Sequence, residues 1–175
     1  MKPRILIVDD HEIVREGIRN LLARSGQEWE ICGEASSASE AIAAVKSVPP
    51  EVIILDVTMP GISGLEAARL ISKLDVPTRV LIFTMHESER METEVRDSGA
   101  HGYVSKSQAA RDLVRAIQTL LVGGTFFGAP SEPSPATPPP STTNGSPDNG
   151  LTSFAIVLGL ISSALGRVAH TAGAS

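Results

Sequence analysis

The stretch "RILIVDDHE" (residues 4–12) runs four apolar side chains, Ile5 to Val8, straight into two adjacent aspartates. A short unbroken apolar run of this kind is the pattern of a strand covered on both faces. Asp9 and Asp10 then stand where that strand reaches the surface. Two carboxylates about 4 Å apart repel by roughly 4 kcal/mol at an effective dielectric of 20. Something must offset that repulsion, and the rest of the sequence supplies the means.

Four further apolar runs follow the first: "WEICGEA" (29–35), "EVIILD" (51–56), "RVLIFT" (79–84) and "HGYVS" (101–105). Between them the apolar residues change to helical spacing. Val14, Ile18, Leu21 and Leu22 form one stripe, and Leu113, Ala116, Ile117, Leu120 and Leu121 form another of the same kind. Ala41, Ile42 and Val45 mark a shorter helix stopped by Pro49-Pro50, and Ala67, Ala68, Ile71 and Leu74 mark one closed by Pro77. A fourth, "ESERMETEVRDSG" (87–99), is mostly charged and ends at Gly99. Five strands in strict alternation with helices predict an α/β fold, a five-stranded parallel sheet with helices on both faces.

Composition narrows the classes. The chain has 175 residues and a formal net charge of −5, which argues against general affinity for nucleic acid or anionic membrane. The single cysteine, Cys32, has no partner within the chain and is expected to fill core, which suits a reducing cytosol. The N-terminal apolar run is too short for a signal peptide, and no Cys/His cluster has zinc-ligand spacing. His11, His86 and His101 stand singly, and Trp29 is expected to pack.

In a parallel sheet of this kind, ligands bind beyond the carboxyl ends of the strands, where the strand order reverses. The acidic pair lies there, and other strand ends contribute Asp56, Thr84 and Lys106. Three carboxylates call for a counter-ion, and a hard divalent cation with oxygen ligands, Mg²⁺, is the natural one. One carboxylate is then available as a nucleophile toward phosphorus, with the Lys106 ammonium and the Thr84 hydroxyl suited to phosphoryl oxygens.

These motifs, "VDD", "LDVTMPGISG", "FTMHE" and "YVSK", resemble those of a response-regulator receiver domain of the CheY-like, flavodoxin-like kind over residues 4–125. The stretch "VDDHEIVREGIRNLL" further resembles the NarL/FixJ subclass, whose members usually carry a helix-turn-helix domain after the receiver. The resemblance implies the strand order 2-1-3-4-5, with Asp56 as phosphoacceptor. It implies Mg²⁺ held by Asp10, Asp56 and the backbone carbonyl of Thr58, with Asp9 acting through water. It further implies Thr84 and Lys106 as phosphoryl-binding residues and Tyr103 as the aromatic that turns inward on activation. A sensor histidine kinase is the implied phosphodonor, and the face between the fourth and fifth helices the implied partner or homodimer surface. Many family members have a proline after the lysine, often with a cis bond, where this chain has Ser107.

Two other readings use the same residues. Haloacid-dehalogenase-type phosphatases also phosphorylate a strand-end aspartate, but within a D-x-D arrangement that is missing here. A degenerate receiver would act as a protein-interaction module without phosphorylation, and the full set of reactive side chains argues against it. The expectation is a signalling domain that is not a turnover enzyme, catalysing only its own phosphorylation and dephosphorylation.

The expected organisation is a receiver over 1–125, a Pro/Ser/Thr-rich linker over 126–150, expected to be disordered, and a short apolar tail over 151–175. The tail has one Arg and no Lys, so direct DNA binding through it is not expected. Its uncharged run is short of the roughly 20 residues that span a bilayer. A degenerate remnant, a docking helix and a marginal membrane anchor all remain open for it. The expected location is cytoplasmic, with attachment at the inner membrane as the alternative.

Overall fold

The computed structural model describes residues 1–85 and 89–127. His86, the linker beyond Phe127 and the apolar tail lie outside the described residues. The elements run β1 (Arg4–Val8), α1 (Glu12–Arg24), β2 (Glu30–Ala35), α2 (Ala38–Ser47), β3 (Val52–Asp56), α3 (Gly64–Ser72), β4 (Arg79–Thr84), α4 (Glu89–Asp97), β5 (Gly102–Ser105), α5 (Ala109–Leu121) and β6 (Phe126–Phe127). A single 3-10 turn, Lys106–Gln108, joins β5 to α5.

The central runs become strands β1, β3 and β4, covered on both sides, whereas β2 lies at the sheet edge with only Ala35 buried. Leu6, Val8, Ile53, Leu55, Val80 and Ile82 pack with Ala41, Val45, Ala67, Ile71 and Val95 from α2, α3 and α4. The alternate residues Ile5, Ile7, Ile54, Leu81 and Phe83 are equally buried, and strand geometry turns them to the opposite face. There α1 meets β1 while α5 meets β3, β4 and β5, presenting Val14, Ile18, Leu22, Leu113, Ala116, Ile117 and Leu120. Ser37 and Ser63 cap α2 and α3 by accepting the N–H groups of Glu40 and Glu66.

The sheet is parallel throughout, in the order β2-β1-β3-β4-β5-β6. It has six strands, not the five expected. The extra strand is Phe126–Phe127, which the sequence placed at the start of the linker. Gly123, with φ +84°, turns the chain back after α5, and the Gly124 N–H bonds the Thr119 carbonyl at 2.9 Å. Two residues of strand carry too little pattern to be visible in the sequence.

Two smaller expectations also change. The third helix ends at Ser72, before Leu74 and well before Pro77. Cys32 does not fill core: it is exposed. Ile5 pairs with Ile31 and Leu6 with Gly33, so Cys32 is the extra residue of a bulge.

Candidate functional site

β1 and β3 are neighbours, yet the chain visits β2 on the other side of β1 between them. That reversal opens the crevice at their carboxyl ends. β3 ends in Asp56, and Asp9 directly follows β1. Asp9 is wholly buried and Asp56 is 2% exposed. Lys106, 5% exposed, reaches between them from the turn after β5. Its Nζ lies 2.6 Å from Asp9 Oδ2 and 2.9 Å from Asp56 Oδ1. The ammonium therefore supplies part of the counter-charge that the sequence reading assigned wholly to a metal. Its ammonium also lies 5.7 Å from the centre of the Phe83 ring.

The remaining acid, Asp10, is only partly covered and lies beside His11. His11 Nδ1 stands 2.7 Å from Asp10 Oδ1 and 3.3 Å from Asp9 Oδ1. The alignment does not make a hydrogen bond, so Asp10 Oδ1 and His11 Nδ1 are both buried atoms without one. The His11 backbone N–H donates to Asp9 Oδ1 at 2.9 Å, and Arg15 donates to the Asp9 carbonyl at 2.7 Å. One ligand atom from each of Asp9, Asp10 and His11 falls within 4.8 Å of the others, so the cluster can hold a metal ion.

Burial pushes the Asp56 carboxyl up to about 6. The Lys106 charge works against that rise, the Asp9 charge adds to it, and the Lys106 bond and the Thr58 backbone N–H oppose it again. Asp56 is thus a desolvated carboxylate that is still mostly ionised at neutral pH, a fitting state for a nucleophile.

Thr84 is fully buried at the end of β4, in register with Ser105 and so next to the start of the Lys106 turn. Ser105 Oγ accepts the Ser107 N–H at 3.2 Å. All described peptide bonds are trans, and this serine cap orients Lys106 without a proline at 107. Thr58 is exposed, and its contact with the Asp56 carboxylate is through its N–H. Tyr103 stands apart from the acids. It is 8% exposed, opposite Ile82 in β4, within the core on the α4 side.

The sequence reading overlooked Gly64. Its N–H bonds the Val57 carbonyl at 3.0 Å, and a Cβ there would overlap the Asp56 carbonyl oxygen. The second glycine of "GISG" was the available signal. His11 was also passed over as a lone histidine, though its place directly after the acidic pair was visible.

A family model described as "Response regulator receiver domain" matches residues 5–118. This chain belongs to the response-regulator receiver family. The receiver is 36% identical over 119 residues to Response regulator UvrY of Escherichia coli K12, covering 68% of this chain and 54% of UvrY. The chain therefore spans about half the length of that relative. A two-component response regulator of the LuxR family from Aurantimonas sp. SI85-9A1 superposes with TM-score 0.67 at 38% identity, covering 72% of this chain and 89% of that one. The isolated receiver domain of RcsB from Salmonella enterica serovar Typhimurium, solved with the phosphomimetic BeF3⁻, gives TM-score 0.66 at 27% identity over 73% and 94% of the two chains. Among the described residues of the receiver, no helix is long and apolar enough to cross a membrane.

Proposed function

We propose that the receiver accepts a phosphoryl group on Asp56 from a sensor histidine kinase and thereby changes the face it shows to partners. The observation that carries this reading is the buried Asp56 carboxylate, pushed up to about 6 and touching the Lys106 ammonium at 2.9 Å. An Asp56 oxygen attacks the phosphorus of the phosphohistidine. The P–O bond forms, the P–N bond breaks, and the imidazole nitrogen keeps the electron pair. Later attack by water on phosphorus restores the carboxylate and releases phosphate.

The donor set fits a hard cation: Asp9, Asp10 and His11 each bring a ligand atom within 4.8 Å of the others, Asp9 shares Lys106 with Asp56, and Asp10 Oδ1 is buried without a hydrogen bond. Asp10, Asp56 and the Thr58 carbonyl would hold Mg²⁺, with Asp9 reaching it through water. When bound, the ion supplies neutralisation of phosphoryl charge. The protein's own residues do the rest. Lys106 moves from the carboxylate to a phosphoryl oxygen, Thr84 donates its hydroxyl to another, and Tyr103 reports that movement to the α4 and α5 face.

The energies bound the switch. Charge-assisted hydrogen bonds contribute about 1.5–3 kcal/mol each, and full reversal of a two-state population needs about 5.5 kcal/mol. Lys106 already holds Asp9 and Asp56, so phosphorylation exchanges its bond and does not add one. The shift therefore leans on the difference between the phosphoryl contacts and the bonds they replace, and on interactions that favour the switched state before phosphorylation.

Incubation with acetyl phosphate and Mg²⁺, read by intact mass, tests the reading. One phosphoryl group should add to the native chain and none to Asp56→Ala. Equal labelling of the variant would remove Asp56 as acceptor. A native chain that stays unlabelled would favour a pure interaction module.

A further inference from the structure

β6 lies where the phosphoacceptor reading puts its readout. Phe126 and Phe127 pair with Gly102 and Tyr103 of β5, and the Phe126 N–H bonds the His101 carbonyl at 3.0 Å. The approach is close. A Cβ at Gly102 would overlap the Phe126 carbonyl oxygen, so the strand docks only because residue 102 has none. Beside this ladder the Phe127 and Tyr103 rings are 6.5 Å apart at 59°, a tilted aromatic pair. From α4, the Arg96 guanidinium lies 3.5 Å from the centre of the Phe127 ring. Arg96 is itself held by Glu92 at 2.7 Å. Phe127 is thus clamped between a cation of α4 and the one tyrosine of the chain.

We propose that Phe127 is a positioning residue for the switch: docking of β6 holds Tyr103 in its buried place and biases the receiver toward the state that phosphorylation favours. This rests on the phosphoacceptor reading above. Tyr103 is already inside the core here, the place assigned to it after activation, and Phe127 covers it from the strand edge. Coupling between two events is reciprocal. Phosphorylation then tightens the pairing of β6 with β5. The α4 surface takes part through Arg96, so a partner that engages Arg96 releases the clamp.

The test uses the full chain with fluorotyrosine in place of tyrosine, which gives one fluorine resonance because only Tyr103 carries the label. Phe127→Ala should shift that resonance in the unliganded protein, and Arg96→Ala should move it less in the same direction. Binding of BeF3⁻ with Mg²⁺ should weaken about 5- to 10-fold in Phe127→Ala, the low end of ordinary coupling. Phe127→Leu should recover part of it. In the native chain BeF3⁻ should slow amide exchange at Phe126 and Phe127. Emission of Trp29, the only tryptophan, just before β2 at the opposite sheet edge, checks that each variant is folded.

An unmoved fluorine resonance in Phe127→Ala, or BeF3⁻ binding within twofold of native, overturns the proposal. A native chain that ignores BeF3⁻ refutes the phosphoacceptor reading instead. The unliganded fluorine comparison would still decide whether Phe127 holds Tyr103.

Discussion

Gly64 begins α3 directly against the carbonyl of Asp56, closely enough that a single added methyl would overlap that oxygen. The loop after β3 is therefore closed onto the backbone of its own acidic residue. Gly64→Ala must push α3 or the end of β3 aside, at a cost of about 1–3 kcal/mol for an overpacked site. Urea denaturation should show that loss. Phosphorylation by acetyl phosphate should fall by more than stability alone explains, because the displaced backbone carries the proposed phosphoacceptor.

Lys106→Ala leaves Asp9 and Asp56 buried without the cation between them. Losing one partner of a buried charged cluster costs about 3–5 kcal/mol. Added Mg²⁺ should restore more stability to this variant than to the native chain, since it replaces the missing charge. Thermal melts with and without Mg²⁺ give the comparison, and equal Mg²⁺ effects would count against the shared site.

Asp10→Asn and Asp9→Asn should separate binding from folding. Asp10 is partly exposed and contacts only His11 among the described ion pairs, so its loss should weaken Mg²⁺ binding with little effect on stability. Asp9 is fully buried and accepts from both Lys106 and the His11 N–H. Its amide variant should lose stability as well. Calorimetric Mg²⁺ titration beside denaturant melts distinguishes the two outcomes.

The pH dependence follows from Asp56. Its carboxyl is pushed up to about 6 from 3.8 by burial, so the folded state binds a proton that the unfolded state has released between those values. Stability from this group is present at low pH and is lost as pH rises from about 4 through 6. Asp56→Asn should therefore exceed the native chain in stability above pH 6 and lose that advantage below pH 4. His101 acts in the opposite sense. Its Nδ1 accepts the Val80 N–H at 3.1 Å, and burial followed by the Arg79 charge lowers its pKa. Protonation then favours the unfolded chain as pH falls below about 6.5, and His101→Gln should flatten that limb.

A chain ending at Phe127 should fold, bind Mg²⁺ and phosphorylate at the full-length rate, because every residue proposed to touch the metal or the phosphoryl group lies before 107 and Phe127 itself is kept. Sedimentation of the two lengths at equal concentration, and flotation with liposomes, would show what residues 128–175 add. Failure of the shorter chain to fold would place the domain boundary later.

Five strands and four helices were legible because those strands are apolar runs ended by turn chemistry and those helices carry a stripe, while α4 was legible only from its charged stretch ending at Gly99. The meeting of Asp9, Asp56 and Lys106 was legible because strand ends in a parallel sheet share one rim. The direct salt bridges of Lys106 with both aspartates were not, since a shared rim does not say which side chains touch. Cys32 misled because a bulge reverses which side chains face inward, and a bulge has no composition of its own. β6 escaped notice because it is stabilised by a neighbour, Gly102, and not by its own pattern.

The bulge at Cys32 has a consequence for the company the protein keeps. An exposed strand edge invites pairing with another chain, and proteins blunt such edges with bulges, charges or shortness. β2 is one edge of this sheet, and it carries the bulge together with exposed Glu30 and Glu34, the latter gripped by Arg15 and Arg19. The other edge is β6, only two residues long. Among the described residues neither margin offers a straight ladder for a second copy to extend, so crowding of the receiver should end in helix-mediated contacts and not in fibrils.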